Sequence, residues 1–251
     1  MLVKITHQEI VISFEIDKSI VLTCGQAIKN AQKKLGGQIL YINAPDNAPP
    51  SMPRVLLKLK DTMLNIGLDR IQLTMIPPSH VSDNIEKTSK YTIQRIGPFL
   101  SELLPTIPKY FWSGVITEIE FHEKPVKSNS ANEAAVPIFD KLINIDRKEK
   151  ELSAFQLQYG IKDDQHFVTY TLNAFEDRQI EFKFPSKQGF FLLKPSEYPL
   201  LEVGIRILLD VNNKPNEHNE DPVGDIQDIL SKQNSLVLSI AEDTNLQGVL
   251  S

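Results

Sequence analysis

The residues that could do chemistry in this chain are few and scattered. Five histidines, His7, His80, His122, His166 and His218, stand singly. None shows the HxxxH or HxH spacing that puts two imidazoles on one metal for zinc hydrolysis. The densest charged stretch is Asn216–Asp221 (NEHNED), with Asp210 just before it. One imidazole and several carboxylates could hold a divalent ion. Hard-metal loops, however, need oxygen ligands at fixed spacing with a turn glycine, and this stretch has none. It reads as a solvated loop whose last aspartate caps a helix. Asp163 and Asp164 are adjacent in a hairpin turn, which explains them without catalysis. Cys24 precedes Gly25 at the foot of a helix and could be an activated thiol, although a small buried residue is the simpler reading. As the single cysteine it excludes an intramolecular disulfide, argues against a cysteine zinc site and points to a reducing compartment. Ser113-Gly114 lacks the GxSxG elbow. No GxGxxG or GxxxxGK[ST] phosphate loop occurs, and Gly36-Gly37 end a helix instead of opening one. No residue is therefore assigned as catalytic, metal-ligating or cofactor-binding, and no cofactor is expected.

Two apolar runs are candidates for contact with a partner. Tyr110, Phe111 and Trp112 are consecutive, and three neighbours cannot all face one side of a strand. Part of the run must pack between two halves of the chain or meet a partner. Gly189–Leu193 (GFFLL), with Phe190 and Phe191, poses the same choice as an oligomer contact, an edge-strand cover or a pocket lid. Lys29, Lys33 and Lys34 form a basic helix face, which is usually just solvated. A net charge of -5 and a pI near 5.6 argue against a protein built to hold a nucleic-acid backbone.

The 251 residues, 41% hydrophobic and 24% charged, suit a soluble globular protein with a core that needs no cross-link. The early charges of MLVKITHQEIVISFEID spoil a signal-peptide core, and no run approaches about 18 apolar residues. A cytoplasmic protein with no membrane segment is expected. Period-two alternation predicts a strand over 9–16, and good helix formers predict a helix over 26–35 that Gly36 and Gly37 stop. Strands follow at QILYINA, at 54–60 and at 63–75. In the last of these the apolar series falls out of phase across Asp69–Arg70, which a β-bulge would repair; a tight turn is the alternative. A helix over 85–96 follows, with Asp83 as its N-cap and Gly97-Pro98 as its break, and a last turn over Phe99–Leu104 is expected before Pro105.

The order then begins again with a strand over 115–123, a helix over 134–143, strands over 152–161, 167–175 and 179–184, and the strand LEVGIRILLDV. The final helix is capped by Asp221 with Pro222 at its first position. Its apolar stripe is interrupted at Gln233, where the helix is expected to bend or loosen. The match between Leu64–Leu73 and Leu201–Val211 places Gly67 and Gly204 at equivalent points. The fold expected is α+β with mostly antiparallel sheet: two β-α-β-β-β-α halves, 1–108 and 109–251, packed as an internal pseudo-dimer in one compact unit, with an insertion near 179–200.

On LNIGLDRIQLTM, LEVGIRILLDVNN and DPVGDIQDILSKQNSLVLSIAED the chain resembles a sporadically distributed prokaryotic family of uncharacterised proteins of comparable size. The proline-rich opening usual in such proteins is absent. The resemblance implies no functional residues; the scattered distribution implies a gene carried on mobile elements, linked to defence or toxin neutralisation. The leading expectation is a non-enzymatic binding or assembly protein with a protein partner or a homo-oligomer. A small-molecule binder or enzyme with a pocket between the halves is the alternative, and a nucleic-acid-associated protein the third.

Overall fold

A computed structural model describes residues 2–123, 155–162, 165–179, 198–214 and 221–243, with Ser130, Glu133, Ala135 and Val136. In these, nine strands form one antiparallel sheet: β1 (Leu2–Phe14), β2 (Gln38–Tyr41), β3 (Val55–Lys58), β4 (Thr62–Ile66), β5 (Arg70–Met75), β6 (Tyr110–Glu123), β7 (Gln156–Lys162), β8 (Phe167–Arg178) and β9 (Leu200–Asn212). The order is β2-β3-β4-β5-β1-β6-β9-β8-β7. The α-helices among the described residues are α1 (Ile20–Thr23), α2 (Gly25–Leu35), α3 (Ile85–Leu103) and α4 (Pro222–Asp243). The α+β class and the antiparallel sheet are as the sequence led one to expect. No described helix is long and apolar enough to cross a membrane.

The two longest early strands, β1 and β6, pair with each other at the centre, from Leu2 opposite His122 to Phe14 opposite Tyr110. Their alternation sorts side chains by face. Ile10, Ile12 and Phe14 of β1, Val115, Ile119 and Phe121 of β6, and Ile205, Ile207, Leu209 and Val211 of β9 are buried in one core with Ile28 and Ala31 of α2, Phe99 and Leu103 of α3, and Ile226 and Ile229 of α4. The helices therefore cover one face. Burying a side chain such as Ile or Phe contributes about 1.5–3 kcal/mol, so this layer supplies most of the stability.

A line of polar side chains crosses that core. Thr92 Oγ1 of α3 donates to Gln8 Oε1 of β1 at 2.5 Å, Gln8 Nε2 donates to Thr117 Oγ1 of β6 at 3.1 Å, and Thr117 Oγ1 donates to Gln233 Oε1 of α4 at 2.7 Å. Gln233 Nε2 then donates to the Val115 and Leu209 carbonyls at 2.7 and 3.0 Å. All four side chains are buried, and buried polar groups are tolerated when satisfied in this way. Gln233 thus marks no loosening: α4 runs through it, because the amide has partners on two strands.

Several expectations need correction. The phase change at Asp69–Arg70 is a turn and no bulge: β4 and β5 pair as a hairpin, Ile66 opposite Ile71, and the Gly67 amide donates to the Arg70 carbonyl. Gly67 lies in that turn and Gly204 lies within β9, so the two are not equivalent. By position β9 flanks β6 as β5 flanks β1. Each glycine has its own close approach: a Cβ on Gly67 would sit 2.8 Å from the Pro50 carbonyl, and one on Gly204 would overlap the Phe121 carbonyl. Helix α3 does not stop at Gly97-Pro98 but continues to Leu103, since Phe99, Leu100 and Leu103 are buried in the core beyond it. Its cap is Asn84, whose side chain accepts from the Lys87 amide at 2.9 Å, in place of Asp83. The helix expected over 134–143 and the strand over 179–184 fall almost wholly outside the described residues.

Asp61, at the β3–β4 turn, ties the hairpin to α3. It accepts from Tyr91 Oη, and from Arg95 Nε and Nη2 at 3.2 and 3.0 Å. Partial burial raises its pKa, but Tyr91, Arg95 and Thr62 outweigh that and hold the carboxyl below its ordinary range. A depressed folded pKa contributes stability that is present above the unfolded value, near pH 4, and lost as pH falls through the folded one. In chemical denaturation from pH 5 to 3, Asp61→Asn is expected to lose stability less steeply than the wild type. Gln233→Leu removes the acceptor of the Thr117 hydroxyl and the side-chain donor to the Val115 and Leu209 carbonyls. It should cost about 2–3 kcal/mol in urea unfolding, and adding Thr117→Val should cost less than the sum of the two.

Candidate binding face

The opposite face of the sheet carries none of the described helices. Alternation places there the residues that the core rejects: His7 and Glu9 on β1, Gln72 and Thr74 on β5, Glu118, Glu120 and His122 on β6, and Glu202, Arg206, Leu208 and Asp210 on β9. Cross-strand register then brings the charges together. Arg206 donates to Glu120 Oε1 through Nε and Nη2 at 3.0 and 2.5 Å and lies 3.5 Å from Glu118 Oε1. Thr6 Oγ1 donates to that same Glu118 oxygen at 2.6 Å. His122 Nδ1 donates to Glu202 Oε2 at 2.7 Å. Its Nε2 lies 3.2 Å from Glu120 Oε2 but is not aligned for a hydrogen bond, and is a buried atom without a partner.

The network tightens toward one end. Glu120 and His122 are buried, whereas Glu9, Glu118, Glu202 and Arg206 are half-buried. Phe175 of β8 packs edge-on to the His122 ring at 5.2 Å and under the Arg206 guanidinium at 5.4 Å; the bare backbone of Gly204 leaves room for its ring. Burial opposes the Arg206 charge, but the Glu120 hydrogen bond and the Glu118, Glu120 and Asp177 charges outweigh it and raise its pKa. On Glu9 the influence of His7, 3.9 Å away, is the largest, and with the Gln72 amide at 2.7 Å it lowers the pKa against burial. The face thus gathers carboxylates around the Arg206 guanidinium, with Lys4 opposite Glu120 and Arg70 opposite Ser13 in register.

The chain matches no protein-family model and no curated protein. What the site can do rests on its own geometry.

The residues singled out from the sequence fall elsewhere. Tyr110, Phe111 and Trp112 lie inside β6, and the run divides as three neighbours must. Tyr110 Oη donates to Asp225 Oδ2 of α4 at 2.5 Å, an oxygen that also accepts from Asn213 Nδ2 at 2.7 Å; burial first, and then Asp225, push the Tyr110 hydroxyl far up. Tyr110 therefore fastens the head of α4 to the sheet. Trp112 is half-buried with its ring against Gly114 and the Lys214 ammonium 4.3 Å from its centre. Phe111 is 43% exposed and is the one of the three open to a partner. Phe190 and Phe191, with the rest of Gly189–Leu193, lie outside the described residues, as do 215–220 and Asp163-Asp164. Asp221 accepts from the Val223 and Gly224 amides as the cap of α4. Among the described residues no group of three or more His, Cys, Asp or Glu stands close enough to hold a metal. Cys24 is buried and its thiol is pushed up to about 11 by burial, so it stays protonated at neutral pH. Of the basic face, Lys34 is paired with Glu102 at 2.5 Å, while Lys29 and Lys33 are exposed.

Sequence reasoning passed over Glu118, Glu120, His122 and Arg206. The signal was there: period two in TEIEFHE puts the three acid–base side chains on one face, opposite Ile119 and Phe121. Arg206 could not be linked to them without the β6–β9 register. If the guanidinium and the buried carboxylate act as a unit, Arg206→Met and Glu120→Gln should not add. Denaturation of the two single variants and the double variant is expected to give a coupling of about 1–3 kcal/mol.

Proposed function

We propose that the protein is a non-enzymatic binding protein that takes a cationic segment of a protein partner on the helix-free face of its sheet. The observation that carries this reading is Glu118, a half-buried carboxylate in the middle of that face. Its contacts are Thr6 and Arg206 Nε, a nitrogen that already donates to Glu120. With Glu9, Glu202 and Asp210 on the same face, these carboxylates are complementary to lysine or arginine side chains.

The strand order supports the reading of the fold as two copies of one unit. From the central pair it runs β1-β5-β4-β3-β2 one way and β6-β9-β8-β7 the other, so that β2 is an extra strand on the first side, and each half closes with a helix, α3 or α4. Under this reading the buried line exchanges its parts between halves, with glutamine on β1 and threonine on α3, then threonine on β6 and glutamine on α4. Membership of the sporadically distributed family, and the link to mobile elements or defence, belong to the same proposal and rest on the apolar stretches quoted above.

A second reading is favoured by an open groove of about 430 Å³ between α3 and α4. Ile93 and Leu230 are apolar in its lining, while Ser89, Lys90, Gln227 and Ser231 supply polar groups, and the volume is within the range of small-molecule sites. It is the place where a ligand between the halves would sit.

With a fluorescent lysine-rich peptide as the probe, anisotropy is expected to show saturable binding that weakens as salt rises. Glu118→Lys should lower the affinity by at least about tenfold without changing the thermal melt. Equal binding by the variant, or no binding by the wild type, would sink this reading.

A further inference from the structure

The two edges of the sheet are treated differently. An edge strand offers unpaired amides and carbonyls to any other strand, and proteins blunt such edges by shortness, proline, charge or twist. At one end, β2 has four residues. It follows Gly36 and Gly37, both at positive φ, and leads into a loop, 45–53, with four prolines. That edge is protected. At the other end, β7 has seven residues, QLQYGIK, and all but Leu157 are exposed. It pairs with β8 alone among the described strands. It holds no proline, and its single charge, Lys162, comes last. Tyr159 and Ile161 are 44% and 53% exposed. Nothing in β7 discourages a further strand.

The composition of β7 says which strand fits. Set antiparallel to a second copy of itself about Tyr159, it matches at every position. Leu157 falls opposite Ile161, Gln158 opposite Gly160 and Gln156 opposite Lys162, while Tyr159 faces its own counterpart. The apolar residues Leu157, Tyr159 and Ile161 share one strand face, where Tyr159 is already stacked on Tyr170 with ring centres 4.8 Å apart. Pairing would extend that stack into a row of four tyrosines across the dyad. Aromatic and aliphatic cross-strand pairs of this kind stabilise a sheet beyond the backbone bonds.

We propose that β7 is a self-association edge through which two copies of this chain join their sheets, antiparallel and centred on Tyr159. The contact is isologous, as a twofold dimer requires. A seven-residue strand pair is a small contact beside the roughly 1,200–2,000 Å² of a standard interface, so the dimer is expected to depend on concentration. It does not depend on the reading of the helix-free face, which can fail or stand without it.

Light scattering on a size-exclusion column, with the full chain at increasing micromolar concentrations, tests it. The wild type is expected to pass from the mass of one chain toward that of two. Tyr159→Lys and Tyr159→Glu, which set like charges against each other across the dyad, should each stay monomeric. An equal mixture of the two variants should recover the dimer. Circular dichroism melts check that each variant folds; should either fail, Ile161→Lys takes its place and is expected to split the dimer. A wild type that stays monomeric throughout, or a dimer that survives these substitutions, would overturn the proposal. A mixture that stays monomeric would overturn the register about Tyr159.

Discussion

The hydrogen-bonded line from Thr92 through Gln8 and Thr117 to Gln233 sets what the rest of the molecule can be. It joins α3, β1, β6 and α4, the four elements at the centre, and each of its donors points the same way along the chain of bonds. A side-chain network in a low-dielectric core is costly unless every member is satisfied. The line therefore favours one register of β1 against β6 and one placement of both helices. A slip of one residue would send Gln8 and Thr117 to the other face and bring His7 and Glu118 into the core.

That register also makes the helix-free face. Once Ile10, Ile12, Val115 and Ile119 are turned toward the helices, Glu9, Glu118, Glu120 and His122 have nowhere else to go. Arg206 meets Glu120 because β9 pairs with β6 at that position. The charged band is thus a consequence of how the core is locked, and needs no separate device to assemble it. Its tight end, with Glu120 and His122 buried beside Phe175, holds the band rigid, while Glu118 and Glu9 remain accessible. The helix layer carries the α3–α4 groove.

Much of this fold is readable along the chain, because it is written in short-range signals. Alternation in EIVISFEI and VITEIEFHE marks the central strands, Gly36-Gly37 closes α2, and Asp221-Pro222 opens α4. What failed were features decided by distant contacts. The turn at Gly67–Asp69 looked like a bulge because one dihedral reversal and one inserted residue disturb the apolar phase alike. Gln233 looked like a flaw because its partners, Thr117 and the Val115 and Leu209 carbonyls, lie far away in sequence. Pro98 looked like a helix end because its neighbours' burial overrides its local cost. The site was hidden for the same reason: single acids on separate strands carry no spacing motif, and only pairing gives them a common surface. The aromatic run at 110–112 drew attention instead, and two of its three rings are occupied with holding the fold.

The claim at the centre of this account is that the helix-free face is where a partner docks. Backbone amide NMR shifts of the full chain, followed as a lysine-rich peptide is added, test it most directly. The account expects the shifts to gather at Glu9, Ile116, Glu118, Arg206 and Leu208, and to leave Lys90, Gln227 and Ser231 unmoved. Shifts confined to those groove residues, or a spectrum that does not change at saturating peptide, would contradict it.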